Sequence, residues 1–249
     1  MRFQNEIQAK RHEKATGEKV AMGDIAFALS AGNKKLKNNA TTSFYQWNIT
    51  SVESCPFRTG MCEASCYSLK AEKMYPTVKK RRDSNFEASK QDWFVPAMIE
   101  QIEFELSRKK NKGKRVLFRI HEAGDFYSNE YMDKWVQIAN HFAGNEQIVF
   151  MAYTKSLPFV KVAFKKYGDD NVNITFKSSI WDDTKDKFKR MTDDLGMSVF
   201  TALPKGQVEQ EGYIPCPSSE TFKNTEKEQD CGTCQLCYLV NKDVAIEIH

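Results

Sequence analysis

Strand and helix patterns alternate along the middle of this chain, and that alternation limits the folds it can adopt more than any other feature. Arg115–His121 (RVLFRIH) is a short apolar run of strand type. Asn129–Phe142 follows as an amphipathic helix, with Tyr131, Trp135, Ile138 and Ala139 on one face. Gln147–Thr154 reads as a strand, Pro158–Tyr167 as a helix and Asn171–Ser178 as a strand. Thr184–Leu195 reads as a helix ended by Gly196, and Ser198–Leu203 as a strand. Such alternation means parallel strands joined by crossover helices. Phe44–Thr50 (FYQWNIT), rich in aromatic and β-branched residues, adds an earlier strand, so at least five parallel strands are expected. The expected fold is α/β, a partial (β/α) barrel, with an open doubly wound sheet as the competing architecture. Residues 1–43 read as an N-terminal extension, 44–205 as the barrel core and 206–249 as a cysteine-rich C-terminal segment. Between the first two core strands, about Tyr67–Arg108 reads as a long helical region, broken at Pro76 and Pro96.

The 249 residues are enough for a substantial core without disulfide staples. No apolar run reaches the roughly 18 residues of a membrane helix, so no membrane association is expected. Met1–Lys19 is polar and lacks the apolar stretch of a secretory signal, which makes the cytoplasm the expected compartment. The net charge of +4, from 37 basic and 33 acidic residues, does not by itself indicate nucleic acid. Two local runs, Lys79–Arg82 (KKRR) and Arg108–Arg115 (RKKNKGKR), are either solvated surface or phosphate contacts.

The seven cysteines fall into two groups, Cys55/Cys62/Cys66 and Cys216/Cys231/Cys234/Cys237. An odd number of closely spaced thiols argues for metal rather than for a disulfide framework. The second group pairs Cys216-Pro217 with CGTCQLC, two overlapping C-x2-C spacings in which Gly232 is expected to help the loop turn. Four thiolates suit an iron–sulfur cluster or zinc, and the overlapping pairs favour the cluster. The first group has three sulfurs, which on a four-iron cube leave one iron open to a small molecule. Its alternatives are a zinc site completed by a distant ligand such as His121, or a single site shared by both groups.

The expected strand ends carry the remaining candidates. These are Arg119, His121, Glu122, Gly124 and Asp125 after the second strand, Tyr153 and Lys155 after the third, and Ser178 after the fourth. In a parallel α/β fold these ends share one face and can surround one cleft. Each also has a structural reading: a buried histidine, acids at a helix N-terminus, a turn glycine, a surface lysine.

A strand, a three-cysteine loop and then a strand ending in a Gly-acid loop resemble the radical S-adenosylmethionine (SAM) enzymes. That superfamily uses a partial (β/α) barrel, and its three cysteines hold a 4Fe-4S cluster whose fourth iron SAM chelates. Here the cysteine spacing is x6 then x3, Tyr67 follows the last cysteine, and Gly124-Asp125 stands where that family has Gly-Gly-Glu. More closely, the chain is similar to the mycobacteriophage gene-product-88-like family. That similarity rests on Gly32-Asn33-x-Lys35-Leu36, Cys55-Pro56, Cys62, Cys66-Tyr67, Arg119, Gly124-Asp125, Trp135, Tyr153–Ser156, Cys216-Pro217 and the final cysteine triplet.

The radical SAM resemblance implies two 4Fe-4S clusters, one on Cys55/Cys62/Cys66 and an auxiliary one on the other four cysteines. It implies reductive SAM cleavage and hydrogen abstraction, with an electron donor as partner. Arg119, Glu122, Gly124, Asp125 and Ser178 are then the cofactor-binding candidates, and Tyr153, Lys155 and His121 the catalytic ones. One alternative is a non-catalytic iron–sulfur protein that senses redox state or binds nucleic acid through the two basic runs. Another is a zinc-stabilised interaction protein.

Overall fold

The structure is a computed structural model that describes residues 3–32, 36, 38–181, 183, 185–204, 206–208, 212–239 and 241–248, with the side chains of 22 and 185–187 excepted. Asn33, Lys35 and Thr184 of the sequence reading lie outside the described residues, as does residue 205, at which the core segment was expected to end.

Seven strands form one parallel sheet: β1 (Thr42–Trp47), β2 (Arg115–Ile120), β3 (Ile148–Thr154), β4 (Thr175–Ile180), β5 (Ser198–Leu203), β6 (Ile214–Pro215) and β7 (Val244–Glu247). Their spatial order is β1-β2-β3-β4-β5-β7-β6, and every neighbouring pair is parallel. The sheet curls into a half barrel. β6 and β7 come from the C-terminal segment, so that segment completes the sheet. At two and four residues they are too short to show a periodic pattern, whereas β5 occupies the residues its sequence marks out.

The helices are α1 (Glu6–Thr16), α2 (Gly60–Ala64), α3 (Tyr67–Met74), α4 (Pro76–Ser89), α5 (Phe94–Ser107), α6 (Asn129–His141), α7 (Leu157–Tyr167), α8 (Lys185–Asp194), α9 (Cys231–Cys234) and α10 (Leu236–Leu239). Pro76 opens α4, where its missing N–H is not needed. Pro96 does not break a helix, because it falls in the first turn of α5, where a proline removes no helical hydrogen bond. The break comes earlier, between Ser89 and Phe94.

Side chains alternate across the sheet. Tyr45, Trp47, Val116, Phe118, Ile120, Phe150, Ala152 and Phe176 join the helix-side core, with Phe94 and Met98 of α5 and Trp135 of α6. Phe44, Leu117 and Met151 point to the concave side, where they meet Leu36 and Tyr238. Burial on both faces explains why the strands read as nearly continuous apolar runs.

Two asparagines fix the ends of β1 and β2. Asn85 of α4 accepts from Ala28 N–H (3.0 Å) and donates to the carbonyls of Ala28 (3.1 Å) and Asn48 (2.7 Å). The Asn48 carboxamide oxygen accepts from the N–H groups of Glu122 (2.7 Å) and Ala123 (3.1 Å), which ties the loop after β2 to the end of β1. No described helix is long and apolar enough to cross a membrane.

Candidate functional site

A cavity of about 570 Å³ lies on the concave side and reaches the C-terminal ends of the strands. All seven cysteines line it, as do Arg119, His121, Glu122, Gly124, Asp125, Tyr153 and Lys155. Ser178 does not. Its hydroxyl accepts from Thr192 of α8 (2.7 Å) on the helix side, and its neighbour Ser179 faces the cavity instead. The expectation that Ser178 binds the cofactor placed the right strand end but the wrong face, a slip of one residue in a period-2 pattern.

The first cysteine group is built by two short helices. Thr59 caps α2 by accepting from Cys62 N–H (3.2 Å), and Asp183 accepts from Met61 N–H (3.1 Å). The turn at residues 55–59 and then α2 take up the six-residue spacing, so Cys55 remains near its partners. Burial pushes the Cys55 thiol up to about 12, with the charges of Asp125, Cys62 and Cys66 adding to the effect. Burial also raises Cys62, while the nearby Lys155 charge lowers it. Cys66 begins α3, and its sulfur accepts from Leu69 N–H (3.3 Å).

The second group surrounds the α9–α10 corner. Asp230 caps α9 through Thr233 N–H (2.9 Å), and Gln235 turns the chain in the left-handed region (φ 51°). Gly232 does not make this turn, contrary to the sequence expectation. It sits inside α9, where a Cβ would lie 2.6 Å from Thr42 Oγ1, so its role is close packing against the start of β1. Cys216 follows β6, and its N–H bonds to the Ala245 carbonyl (2.7 Å). Burial, reinforced by Cys216 and the other thiols, pushes Cys231 up to about 12. Burial also raises Cys234 and takes Cys237 to about 11, although the neighbouring Tyr153 hydroxyl pulls it down. No disulfide joins any of the seven. Among the described residues, no three Cys, His, Asp or Glu side chains stand in a geometry that ligates a single ion.

The strand-end residues take distinct places. The Arg119 guanidinium lies over the Tyr153 ring (4.8 Å) and its Nε donates to the His121 carbonyl (3.2 Å). Burial opposes its charge, but Tyr67, Tyr153 and Glu122 outweigh that and hold it cationic. Asp125 is buried, and its carboxylate accepts from Thr154 Oγ1 (2.6 Å), Phe126 N–H (2.8 Å) and Lys155 N–H (2.9 Å). It therefore fixes the start of the loop after β3. Lys155, only 5% exposed, donates to Ser179 Oγ (2.8 Å) and lies over Trp181 (5.2 Å). Its surface reading fails because the chain turns inward after β3. Gly124 has φ +84°, and a Cβ there would lie 2.3 Å from Ile49 Cγ1 and 2.6 Å from Ser54 Oγ, so only glycine lets the β2 loop pass the β1 loop.

The His121 ring is fully enclosed against Phe126 (4.7 Å) and Tyr131. Tyr131 accepts from Trp47 Nε1 (2.8 Å), which leaves the phenol proton for His121 Nε2 (2.8 Å). Burial, with help from the Arg119 charge, lowers this imidazole to about 3. His121 is thus a neutral core histidine, although its backbone borders the cavity.

At the end of the fourth strand the sequence reading placed Lys177, Ser178, Ser179 and Trp181 but chose Ser178 as the site residue, and it missed Asn48. Alternation along β4 places Lys177 and Ser179 on the concave face with Tyr153, a signal present in the sequence but obscured by two consecutive serines. The basic runs are largely engaged within the fold. Arg82 is buried, bonding Glu72 (3.0 Å) and the Ser68 carbonyl (3.0 Å). Lys79 pairs with Asp83, Arg81 with Glu6, and both Arg108 and Lys110 with Glu105.

The family model for gene product 88 matches residues 27–239. The chain belongs to the gene product 88 family. All seven cysteines and every strand except β7 lie within the matched segment. Among curated gene product 88 relatives, the Gene 88 protein of Mycobacterium phage L5 is 28% identical over 193 residues, covering 74% of this chain and 77% of the relative. The Gene 88 protein of Mycobacterium phage D29 is 26% identical over 201 residues, covering 77% and 80%. No solved structure matches this gene product 88 chain.

Proposed function

We propose that this protein is an iron–sulfur protein with one four-iron cluster on Cys55, Cys62 and Cys66 and a second on Cys216, Cys231, Cys234 and Cys237. A small molecule, with SAM as the candidate, would bind at the iron that the first group leaves without a protein ligand. One observation carries this reading: seven cysteines from widely separated stretches of chain line a single cavity at the C-terminal ends of parallel strands.

The residues present fit such groups. Each set of thiols is close enough for its members to raise one another electrostatically. The Cys66 sulfur accepts a hydrogen bond from Leu69 N–H, and such bonds tune cluster potentials. The cysteines of a cluster attach to different irons, whereas those of a zinc ion must converge on one point. When bound, a reduced cluster supplies an electron to a ligand on its open iron.

The protein's own groups have definable tasks. Arg119, flat on Tyr153, holds an anionic group such as a carboxylate. Glu122 borders the same space and suits an ammonium group. Asp125 sets the path of residues 154–156 and so aims Lys155 into the cavity. Trp181, Phe200 and Tyr153 form an aromatic wall that excludes water.

The test is the electron paramagnetic resonance spectrum of the anaerobic, dithionite-reduced protein with and without SAM. SAM is expected to shift the wild-type signal and to leave Cys62→Ala unaffected. A wild-type iron signal indifferent to SAM would remove the open-iron ligand and leave a non-catalytic iron–sulfur protein.

A further inference from the structure

We infer that the Lys155–Ser179 end of the cavity is a binding site for the oxyanion of an organic acid, a carboxylate or a phosphate, carried on a flat aromatic body. This is a second molecule, distinct from the ligand proposed above for the open iron, and its site does not depend on which metal the cysteines hold.

Six side chains connect along the concave face, and all six line the cavity. The Arg119 guanidinium lies over Tyr153 (4.8 Å), and the Tyr153 ring meets the Phe200 ring at 4.2 Å. Phe200 on β5 is in register with Ser179 on β4. Ser179 Oγ accepts from Lys155 Nζ (2.8 Å), and that ammonium lies 5.2 Å from the centre of the Trp181 ring. Cations therefore stand toward both ends of the row, with aromatic surface between them. Arg119 serves the first ligand, which leaves Lys155 for another.

Lys155 is buried, and among the described residues its ammonium bonds only the neutral Ser179 hydroxyl. The two acids whose charge reaches it are engaged elsewhere. Asp125 accepts from Thr154 Oγ1, Phe126 N–H and the backbone N–H of Lys155, and Asp183 accepts from Met61 N–H. A buried ammonium in neutral company is costly, and burial lowers this one from its ordinary value. An oxyanion entering the cavity offsets that cost. Lys155 has two further N–H donors for it, and the Ser179 hydroxyl, having accepted from Lys155, keeps its own proton for the same anion. Tyr153 and Phe200 are each half-buried, and their remaining surface suits an aromatic ring.

The experiment titrates the anaerobically purified full chain by calorimetry with benzoate, phenyl phosphate, benzamide (the ring without the charge) and acetate (the charge without the ring). Benzoate or phenyl phosphate is expected to bind at least about tenfold more tightly than benzamide or acetate, as a charge-assisted bond inside a cavity provides, and the tighter of the two names the group. Lys155→Met is expected to lose about tenfold of that affinity or more, Ser179→Ala about threefold, and Lys155→Arg is expected to stay within about threefold of wild type. Metal content and circular dichroism are read on every sample. Benzamide or acetate binding as tightly as the aromatic anions overturns the inference, as does binding of none of the four. Anion affinity unchanged in Lys155→Met overturns it too, because the probe then sits at Arg119. Loss of metal or of fold in Lys155→Met, rescued by Lys155→Arg, also overturns it, because it assigns the ammonium to the cysteines or to the sheet.

Discussion

His121 makes stability acid-sensitive in a way that can be isolated. The folded chain keeps this imidazole neutral down to about pH 3, because its ring is enclosed, its Nε2 faces Tyr131, its Nδ1 has no partner and the Arg119 charge opposes protonation. The unfolded chain protonates it near its ordinary 6.5. Between those values the unfolded state binds the extra proton, so stability falls as pH falls, by about 1.4 kcal/mol per pH unit. From pH 6.5 to 4.5 the loss attributable to this one group is about 2.3 kcal/mol, since the unfolded imidazole is already half protonated at pH 6.5. Other groups titrate as well. Burial raises Asp125, for example, which works in the opposite sense because its protonated form is favoured in the folded chain. The comparison is therefore with His121→Asn, which tolerates the left-handed backbone found here (φ 67°) and cannot titrate. Urea unfolding followed by fluorescence of the buried Trp47 and Trp135 gives stability at each pH. The variant is less stable at pH 7, having lost the Tyr131 bond, but its stability declines more gently below pH 6.5. Parallel curves for the two proteins between pH 6.5 and 4.5 would refute the assignment of a neutral, enclosed imidazole.

Three further outcomes follow from the packing. Gly124→Ala combines a positive-φ penalty with overpacking against Ile49 and Ser54, and a loss of about 2–5 kcal/mol is expected in urea unfolding; a change below about 0.5 kcal/mol would show that the two loops do not approach so closely. Arg82→Met leaves Glu72 buried without its cation and is expected to cost about 3–5 kcal/mol; unchanged stability with weakened DNA or RNA binding would return Arg82 to a nucleic-acid surface. Thr154→Val removes one of three donors to the buried Asp125 carboxylate, with an expected loss of about 1–3 kcal/mol; thermal melts identical to wild type would show that the carboxylate does not organise the loop after β3.

The parallel core was legible because each strand and crossover helix carries its own period. Ser198–Leu203 and the helix around Trp135 are marked by local patterns that packing does not overrule. The short strands β6 and β7 were not legible, since they are paired by the sheet rather than by local preference. The cysteines, Arg119 and Lys155 were legible as strand-end residues because a parallel fold gathers those ends. Which face each side chain takes was harder to read. Ser178 and Ser179 are chemically identical neighbours pointing in opposite directions, and only the register of β4 separates them. Asn48 was invisible, because its task is to hold backbone N–H groups seventy-odd residues away.

The central claim is that two cysteine groups hold iron–sulfur clusters in one cavity, and metal analysis tests it most directly. Iron, acid-labile sulfide and zinc are counted per chain in anaerobically purified wild type and in Cys216→Ala. About eight irons and eight sulfides are predicted for wild type, as two four-iron cubes contain, with about half remaining in the variant. One zinc per cysteine group and no sulfide, or no metal of any kind, would contradict the account.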